Sequence, residues 1–165
     1  VWMTAYAPLL SHVEGWQWRP DLIWYNNTKM FKSASYYVQQ MYATNKGTNV
    51  LPLTMNGKFV AGQDGQDGLF ASAVIDKGTK TVIVKVINTS KTAQKVNLLL
   101  DGIKGAGKAE TTTLTCNEMD AENTLDNPEK IIPVNGSVMY TVDKKAATIT
   151  DELPSMTFRI YKIKK

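Results

Sequence analysis

The sequence contains very little cysteine, histidine or arginine, and each shortage argues against a class of site. Cys116 is the one cysteine, so no internal disulfide can form. Because the sequence also contains a single histidine, no metal site is expected. Arginine occurs only at Arg19 and Arg159, whereas nucleic-acid-binding surfaces cluster arginine and lysine, so the net charge of +4 predicts no nucleic-acid partner. No apolar run approaches the roughly 18 residues that a membrane-spanning helix needs, so no membrane partner is predicted.

Tryptophan is absent after residue 24, and tyrosine is concentrated in the same region. The four tryptophans are Trp2, Trp16, Trp18 and Trp24, and five of the seven tyrosines lie within the first 42 residues. Each large aromatic side chain buries some 150–250 Å² when it is covered. A short segment cannot cover so many of them alone. We therefore expect this head either to pack on the rest of the chain or to belong to a barrel that is mostly absent.

Residues 1–47 carry the pattern of an α/β protein. The apolar residues 1–10 suit the last turns of a helix, and DLIWYNN (residues 21–27) predicts a buried strand. An amphipathic helix follows, which Ser33 or Ser35 can cap. Its apolar stripe consists of Ala34, Tyr37, Val38, Met41 and Tyr42. In such an arrangement a parallel strand is buried between helices.

Residues 48–165 read as short strands separated by turn signals such as NGK, DKGT and VNGS. This spacing predicts an antiparallel β-sandwich. Both faces of KTVIVKVINT are apolar, which indicates a central strand covered on both sides. The eight strand-like runs are TNVLPLTM, GLFASAVID, KTVIVKVINT, AQKVNLLLD, AETTTLTC, SVMYTVD, AATIT and SMTFRIYKI.

Several of these stretches, taken in order, resemble the C-terminal segment of family 51 α-L-arabinofuranosidases. MTAYAPLL, WQWRPDLIWYNN and SYYVQQMYATNKG are similar to the end of that family's catalytic barrel, and DAENTLDNPEKIIP (residues 120–133) is similar to a signature of its C-terminal domain. The implied fold is mainly β. It would be an antiparallel jelly-roll-like β-sandwich over residues 48–165, preceded over residues 1–47 by an α/β remnant, the last strand and helix of a truncated (β/α)8 barrel.

The resemblance also implies a function for the parent protein. These enzymes are retaining hydrolases that remove terminal arabinofuranose from plant arabinan and arabinoxylan. Their mechanism uses two carboxyl groups roughly 5–5.5 Å apart, and both family positions lie on barrel strands upstream of this chain. No catalytic residue is therefore expected here, no cofactor is implied, and the isolated chain should be inactive.

The partners and the location implied by the resemblance concern the parent as well. The main expected partner is the chain's own missing catalytic barrel, which the sandwich would support. A homo-oligomeric parent is compatible with this interpretation, in which case the sandwich would help to form the contacts. The parent is expected to be secreted or periplasmic in a bacterium, although this stretch contains no signal for export.

Four residues near the head's predicted strand are candidates for the rim of the parent's sugar site: Trp16, Trp18, Asn26 and Asn27. The alternative is that the tryptophans are packing residues and the asparagines end a strand. Glu14 and Asp21 are the only acids in the first 46 residues, but a catalytic pair is disfavoured. Asp21 begins the strand, whereas barrel active sites lie at carboxyl ends; we expect it to cap or to meet a lysine or arginine.

The remaining polar patterns favour structural roles. We predict that His12 is a loop or interface residue and that QDGQDG (residues 63–68) is a turn, because it lacks the full length of a calcium loop. An acidic run could supply oxygen ligands to calcium, but it more readily fixes a long ordered crossover that could pack against the barrel. The run consists of Glu118, Asp120, Glu122, Asp126 and Glu129.

Two rival functions belong to other classes. A carbohydrate-binding module would expose aromatic side chains on its sandwich, and this sandwich offers Phe59, Phe70, Tyr140, Phe158 and Tyr161 but no tryptophan. An adhesion or structural sandwich would need no α/β segment before it. The head therefore favours the hydrolase interpretation over both.

Overall fold

The computed structural model describes residues 5–60, 66–144 and 146–165. Thirteen strands and one helix in this part of the chain make the fold mainly β, as the sequence predicts. No helix among the described residues is long and apolar enough to cross a bilayer.

The chain divides into two compact units. The first unit consists of Val1–Thr44 and Glu118–Ile132, and the second of Asn45–Asn117 and Pro133–Lys165. The domain boundary predicted between residues 47 and 48 stays a prediction. The sequence did not indicate that a segment from the middle of the sandwich packs with the head.

The first unit contains a small mixed sheet and the helix. β1 and β2 are parallel, β2 and β3 are antiparallel, and the order is β1-β2-β3. The strand predicted in DLIWYNN is confirmed as β2, in which Trp24 is buried but Tyr25 is exposed. The elements are β1 (Leu10–His12), β2 (Ile23–Tyr25), β3 (Met30–Lys32) and α1 (Ala34–Thr44).

No barrel remnant is evident in the described part of the first unit. Barrel strands are all parallel and each is followed by a helix, whereas β2 turns directly into the antiparallel β3. The physical reason is a tight turn, in which the Asn26 backbone N–H donates to the Lys29 carbonyl at 2.9 Å. The helix end predicted for residues 1–10 is not found over residues 5–10, where Leu10 begins β1 instead. Trp2 lies outside the described residues.

The amphipathic helix is confirmed as α1. The Tyr36 backbone N–H donates to Ser33 Oγ at 3.3 Å, so Ser33 is the capping residue of the two proposed. Met41 is the buried residue of the stripe, while Tyr42 at its edge is exposed. The burial of Met41 thus agrees with the helix face that the apolar period predicts to be covered.

All eight predicted strand regions of the second unit form strands. Eight strands make one antiparallel sheet in the order β4-β7-β8-β13-β10-β11-β12-β9, and β5 and β6 form a hairpin. The predicted turn VNGS is wrong, because it lies inside β11. The strands are β4 (Asn49–Leu51), β5 (Thr54–Met55), β6 (Lys58–Phe59), β7 (Leu69–Asp76), β8 (Thr81–Asn88), β9 (Gln94–Asp101), β10 (Gly107–Thr115), β11 (Val134–Asp143), β12 (Ala146–Leu153) and β13 (Thr157–Lys164).

The sheet of the second unit curls around one apolar core. Val84 on β8 belongs to the same buried cluster as Leu100 on β9, although four strands separate β8 from β9 in the sheet. Ile149 and Tyr161 lie in this cluster with no exposed surface. Residues 82–86 of β8 are all buried, so the prediction of a strand covered on both faces is confirmed. This arrangement fits the expected β-sandwich.

Candidate functional site

An aromatic cluster lies at the centre of the first unit. The Trp24 ring stacks on Phe31 with centroids 6.4 Å apart, and Trp16 meets it edge-on at 6.1 Å. The Arg19 guanidinium lies over both indoles, 5.1 Å from the Trp16 centroid and 4.9 Å from that of Trp24. Such cation–π contacts hold the arginine against the aromatic faces. Trp24 is buried, so it is a packing residue.

The other two described tryptophans present large surfaces to solvent. Trp16 is 45% exposed and Trp18 is 53% exposed, and both lie in the connection between β1 and β2. An indole offers a flat apolar face and one N–H donor, which suits the apolar faces and hydroxyls of a sugar ring. These two candidates are therefore accessible in this chain.

The two candidate asparagines differ in how they are used. Asn26 Oδ1 accepts the backbone N–H groups of Thr28 at 2.9 Å and Lys29 at 2.7 Å, so its oxygen is committed to the β2–β3 turn. Asn27 is exposed at the tip of that turn. The structure thus places both at the carboxyl end of β2, with a structural role for Asn26.

The two acids of the head lie in different environments. Asp21 has no exposed surface and accepts a hydrogen bond from Ser11 Oγ at 2.5 Å, rather than meeting the expected lysine or arginine. Its Oδ1 has no hydrogen-bond partner among the described residues. Glu14 is exposed. A glycosidase pair must face one sugar from both sides, so this arrangement argues against a catalytic pair.

The segment Glu118–Ile132 is held in the first unit by a buried amide that the sequence analysis missed. Asn123 is 1% exposed. Its Nδ2 donates to the carbonyls of Lys32 at 2.8 Å and Ile131 at 2.9 Å, and its Oδ1 accepts the Ile131 N–H at 2.7 Å. The only signal in the sequence was an asparagine inside the acidic signature.

The acidic residues of this segment form exposed ion pairs. No group of three or more His, Cys, Asp or Glu side chains that could hold a metal occurs within the described ranges. The segment is an ordered crossover without a strand, and three of its five acids meet cations. The pairs are Glu122 with Arg19 at 3.1 Å, Asp126 with Lys29 at 3.2 Å, and Glu118 with Lys130 at 2.9 Å.

The end of QDGQDG is a turn. The backbones of Gln66 and Leu69 exchange hydrogen bonds of 2.9 and 2.8 Å. Residues 63–65 lie outside the described residues, so the rest of this prediction is not examined by the structure.

The second unit buries most of its aromatic side chains. Tyr140, Phe158 and Tyr161 are buried, Phe70 is half-buried, and only Phe59 among these five is strongly exposed, at 77%. A sugar-binding sheet face would need several exposed rings. This unit therefore lacks the aromatic platform on which the carbohydrate-module alternative depends.

A polar network inside the second unit has a structural character. Arg159 Nη1 lies 2.6 Å from Asp151 Oδ2, and the Tyr161 hydroxyl donates to the same oxygen at 2.8 Å. Burial, followed by the hydrogen bond and the negative charge of Asp151, raises the pKa of Tyr161 far above its ordinary value. The network joins β12 to β13 and satisfies polar groups beside the core.

The sequence of this chain is similar to those of α-L-arabinofuranosidases. A family model described as the alpha-L-arabinofuranosidase C-terminal domain matches residues 1–156. Alpha-L-arabinofuranosidase A of Aspergillus kawachii is 33% identical over 155 residues, which cover 93% of this chain and 22% of that protein. Alpha-L-arabinofuranosidase 1 of Arabidopsis thaliana is 29% identical over 138 residues, which cover 79% of this chain and 19% of that protein.

Solved structures of α-L-arabinofuranosidases are similar to this chain in fold. The arabinose-bound MgGH51 α-L-arabinofuranosidase superposes with a TM-score of 0.80 at 27% identity, covering 96% of this chain and 23% of that one. The Thermotoga maritima α-L-arabinofuranosidase in its arabinose complex has a TM-score of 0.70 at 19% identity, which supports the fold alone. The chain spans about a fifth of the length of the curated relatives it matches.

Proposed function

The chain belongs to the α-L-arabinofuranosidase C-terminal domain family, and we propose that it serves as the C-terminal part of a longer glycoside hydrolase. The proposed enzyme is a retaining family 51 α-L-arabinofuranosidase that removes terminal arabinofuranose from plant arabinan and arabinoxylan. The observation that carries the proposal is the match of residues 1–156 to a C-terminal domain, in a chain that covers 22% of a relative named alpha-L-arabinofuranosidase A.

Within that enzyme, the proposed role of this part is to support the catalytic barrel. The first unit leaves large apolar side chains exposed, and such patches mark surfaces that another part of a protein covers. They are Leu9, Leu10, Trp16, Trp18, Tyr25, Met30, Tyr42 and Met119. We propose the barrel as the partner that covers most of them. Subunit contacts in a homo-oligomer are a further part of the proposal, which light scattering on the longer enzyme would examine.

The proposal assigns no catalytic residue to this chain. A retaining mechanism needs two carboxyl groups facing one sugar, and in the head Asp21 is buried whereas Glu14 is exposed. Trp16, Trp18, Asn26 and Asn27 are proposed to lie near the substrate. Trp16, Trp18 and Asn27 are exposed enough to touch it, and Asn26 supports the turn that carries Asn27.

Hydrolysis of para-nitrophenyl α-L-arabinofuranoside tests the proposal. The longer enzyme is expected to release nitrophenol, and the 165-residue chain alone is expected to release none, because it lacks both catalytic carboxyl groups. Turnover by the chain alone that persists after repurification would overturn the assignment of catalysis to the missing part. A longer enzyme that is folded but inactive on arabinofuranosides would overturn the proposed activity.

A titration with arabinan separates this function from a carbohydrate-binding module. The second unit by itself is expected to show no binding, since Phe59 is its one strongly exposed ring of the five considered. Binding that persists in the 165-residue chain after Trp16 and Trp18 are both replaced by alanine would favour the module instead.

A further inference from the structure

The carboxyl ends of β1 and β2 bring together two side chains that the proposed function does not use. His12 is the last residue of β1 and Tyr25 is the last residue of β2, and the two are paired in the parallel ladder. Their rings meet edge to face, with centroids 5.3 Å apart and planes at 86°. Because the strands are parallel, both side chains lie at the carboxyl end of the strands and on the same face of the sheet.

The polar ends of this pair are available to a ligand. The Glu14 backbone N–H donates to His12 Nδ1 at 3.3 Å, so Nδ1 is the acceptor and the neutral ring carries its proton on Nε2. In the described part of the chain, neither His12 Nε2 nor the Tyr25 hydroxyl has a hydrogen-bond partner. Tyr25 is 40% exposed. The pair thus presents one N–H donor and one hydroxyl that can donate or accept.

The surroundings of the pair suit a carbohydrate. The connection that follows His12 carries the exposed Trp16 and Trp18, and the turn that follows Tyr25 carries Asn27. Ligand sites commonly combine aromatic walls with a few placed polar groups, and in sheets with parallel strands they lie beyond the carboxyl ends. Hydroxyl groups of a sugar are the natural partners of an N–H and a phenol side by side.

We propose that His12 and Tyr25 form a hydrogen-bonding pair that contacts hydroxyl groups of the arabinosyl substrate. The inference rests on the proposed function and deepens it, because it names two substrate-binding residues of the same enzyme. The pair binds and orients the sugar and takes no part in breaking the glycosidic bond. Edge-to-face contact with Tyr25 and the backbone hydrogen bond to Nδ1 hold the imidazole ring in place and leave Nε2 for the ligand.

Ring-conserving substitutions in the longer enzyme test the pair. Tyr25→Phe removes only the hydroxyl, and His12→Phe keeps a ring against Tyr25 while removing Nε2–H. Each is expected to raise KM for an arabinofuranoside about threefold to tenfold, the effect of losing one hydrogen bond. His12→Gln is expected to recover part of the loss, because its amide nitrogen can donate from a position close to Nε2. A purely structural role would give no such recovery.

Tyr42→Phe is the matched control, since Tyr42 is also 40% exposed but lies on α1. It should leave KM unchanged, and unaltered tryptophan fluorescence will show that each variant is folded. Unchanged KM in both Tyr25→Phe and His12→Phe, with normal turnover, would overturn this inference alone. Absence of arabinofuranoside turnover by the unsubstituted longer enzyme would refute the proposed function instead.

In the case of such an inactive enzyme, a direct binding measurement tests the pair by itself. His12 is the only histidine in these 165 residues, and in the longer enzyme its ring C–H signals are identified by their absence from the spectrum of His12→Gln. Arabinotriose is expected to shift these signals in the longer enzyme and in the control Tyr42→Phe. The shift should be smaller in Tyr25→Phe. No shift at saturating arabinotriose would refute the contact.

Discussion

The two units of this chain differ in how far they bury their large apolar side chains. The second unit closes a buried cluster of fourteen residues that draws on both halves of its curled sheet. Of the thirteen large apolar side chains that are strongly exposed in the described part of the chain, eight belong to the first unit, although it is the smaller one. The second unit supplies its own core, whereas the first unit exposes large apolar side chains of the kind that mark interaction surfaces.

The first unit therefore relies more on individual polar anchors than on a core. Its described sheet has three strands of three residues each, which is too little to be stable by itself. The Asn123 amide, the aromatic cluster and the two exposed ion pairs that join the head to the crossover segment hold this unit together. Substitutions in the two units should consequently differ in size and in the probe that detects them. Tryptophan fluorescence reports on the first unit, because the second contains no tryptophan.

The largest effect is expected from a cavity in the core of the second unit. Ile149 on β12 has no exposed surface, so Ile149→Ala should lower the free energy of unfolding by about 2–5 kcal/mol. Urea unfolding followed by far-ultraviolet circular dichroism measures it. Leu99→Ala on β9 is the control, because Leu99 is exposed and should change stability by about 0.5 kcal/mol or less. Equal effects would mean that the second unit has no specific core.

Loss of the Asn123 amide should be smaller and confined to the first unit. Asn123→Ala leaves the Lys32 and Ile131 carbonyls and the Ile131 N–H without this partner, at a cost of about 1–3 kcal/mol. The tryptophan fluorescence transition should move to lower urea while the circular dichroism transition of the second unit changes less. The exposed Asn117→Ala is the control. Parallel movement of both transitions would show that the units unfold as one.

Alkaline pH should act on the second unit through Tyr161. Its folded pKa is raised above the ordinary value of 10.0, first by burial, so its stabilising contribution is complete below pH 10 and falls as the pH rises further. The loss approaches about 1.4 kcal/mol per pH unit in that range. Tyr161→Phe should show a shallower decline in urea midpoint between pH 9 and about 11. Identical slopes in the two proteins would place the titrating groups elsewhere.

The smallest effect is expected from an exposed ion pair of the first unit. Lys29 and Asp126 are 3.2 Å apart, but both are largely in solvent, so Lys29→Ala should cost about 0–1 kcal/mol and the difference should vanish at high salt. Fluorescence-detected urea unfolding at low and high sodium chloride measures it. A loss as large as that of Asn123→Ala would mean that charge, rather than the buried amide, holds the crossover segment.

Much of the fold could be predicted because its signals are local. The eight strand regions, the cap at Ser33 and the apolar stripe of α1 follow from neighbouring residues, and the structure confirms them. The predicted barrel remnant, by contrast, is not found in the described part of the first unit. A single buried run such as DLIWYNN indicates a strand but not its neighbour, and the structure gives β2 an antiparallel partner on one side.

The candidate site was predictable only in part. The sequence pointed to Trp16 and Trp18, which are exposed, and placed Trp24 in a predicted strand, where it is buried. The pairing of His12 with Tyr25 depends on the register of two strands, and periodicity does not encode register between strands that are distant in sequence.

The sequence by itself determined where α1, β2 and most strands of the second unit form, that no internal disulfide is possible, and that the aromatic residues are concentrated near the amino end. Only the tertiary structure decided that the segment Glu118–Ile132 leaves the sandwich to pack with the head, through a hydrogen bond between residues 91 positions apart. The physical reason is that alternation, capping and turn preference act between near neighbours. The partner of a buried amide, by contrast, is chosen by which unsatisfied carbonyls folding brings within reach.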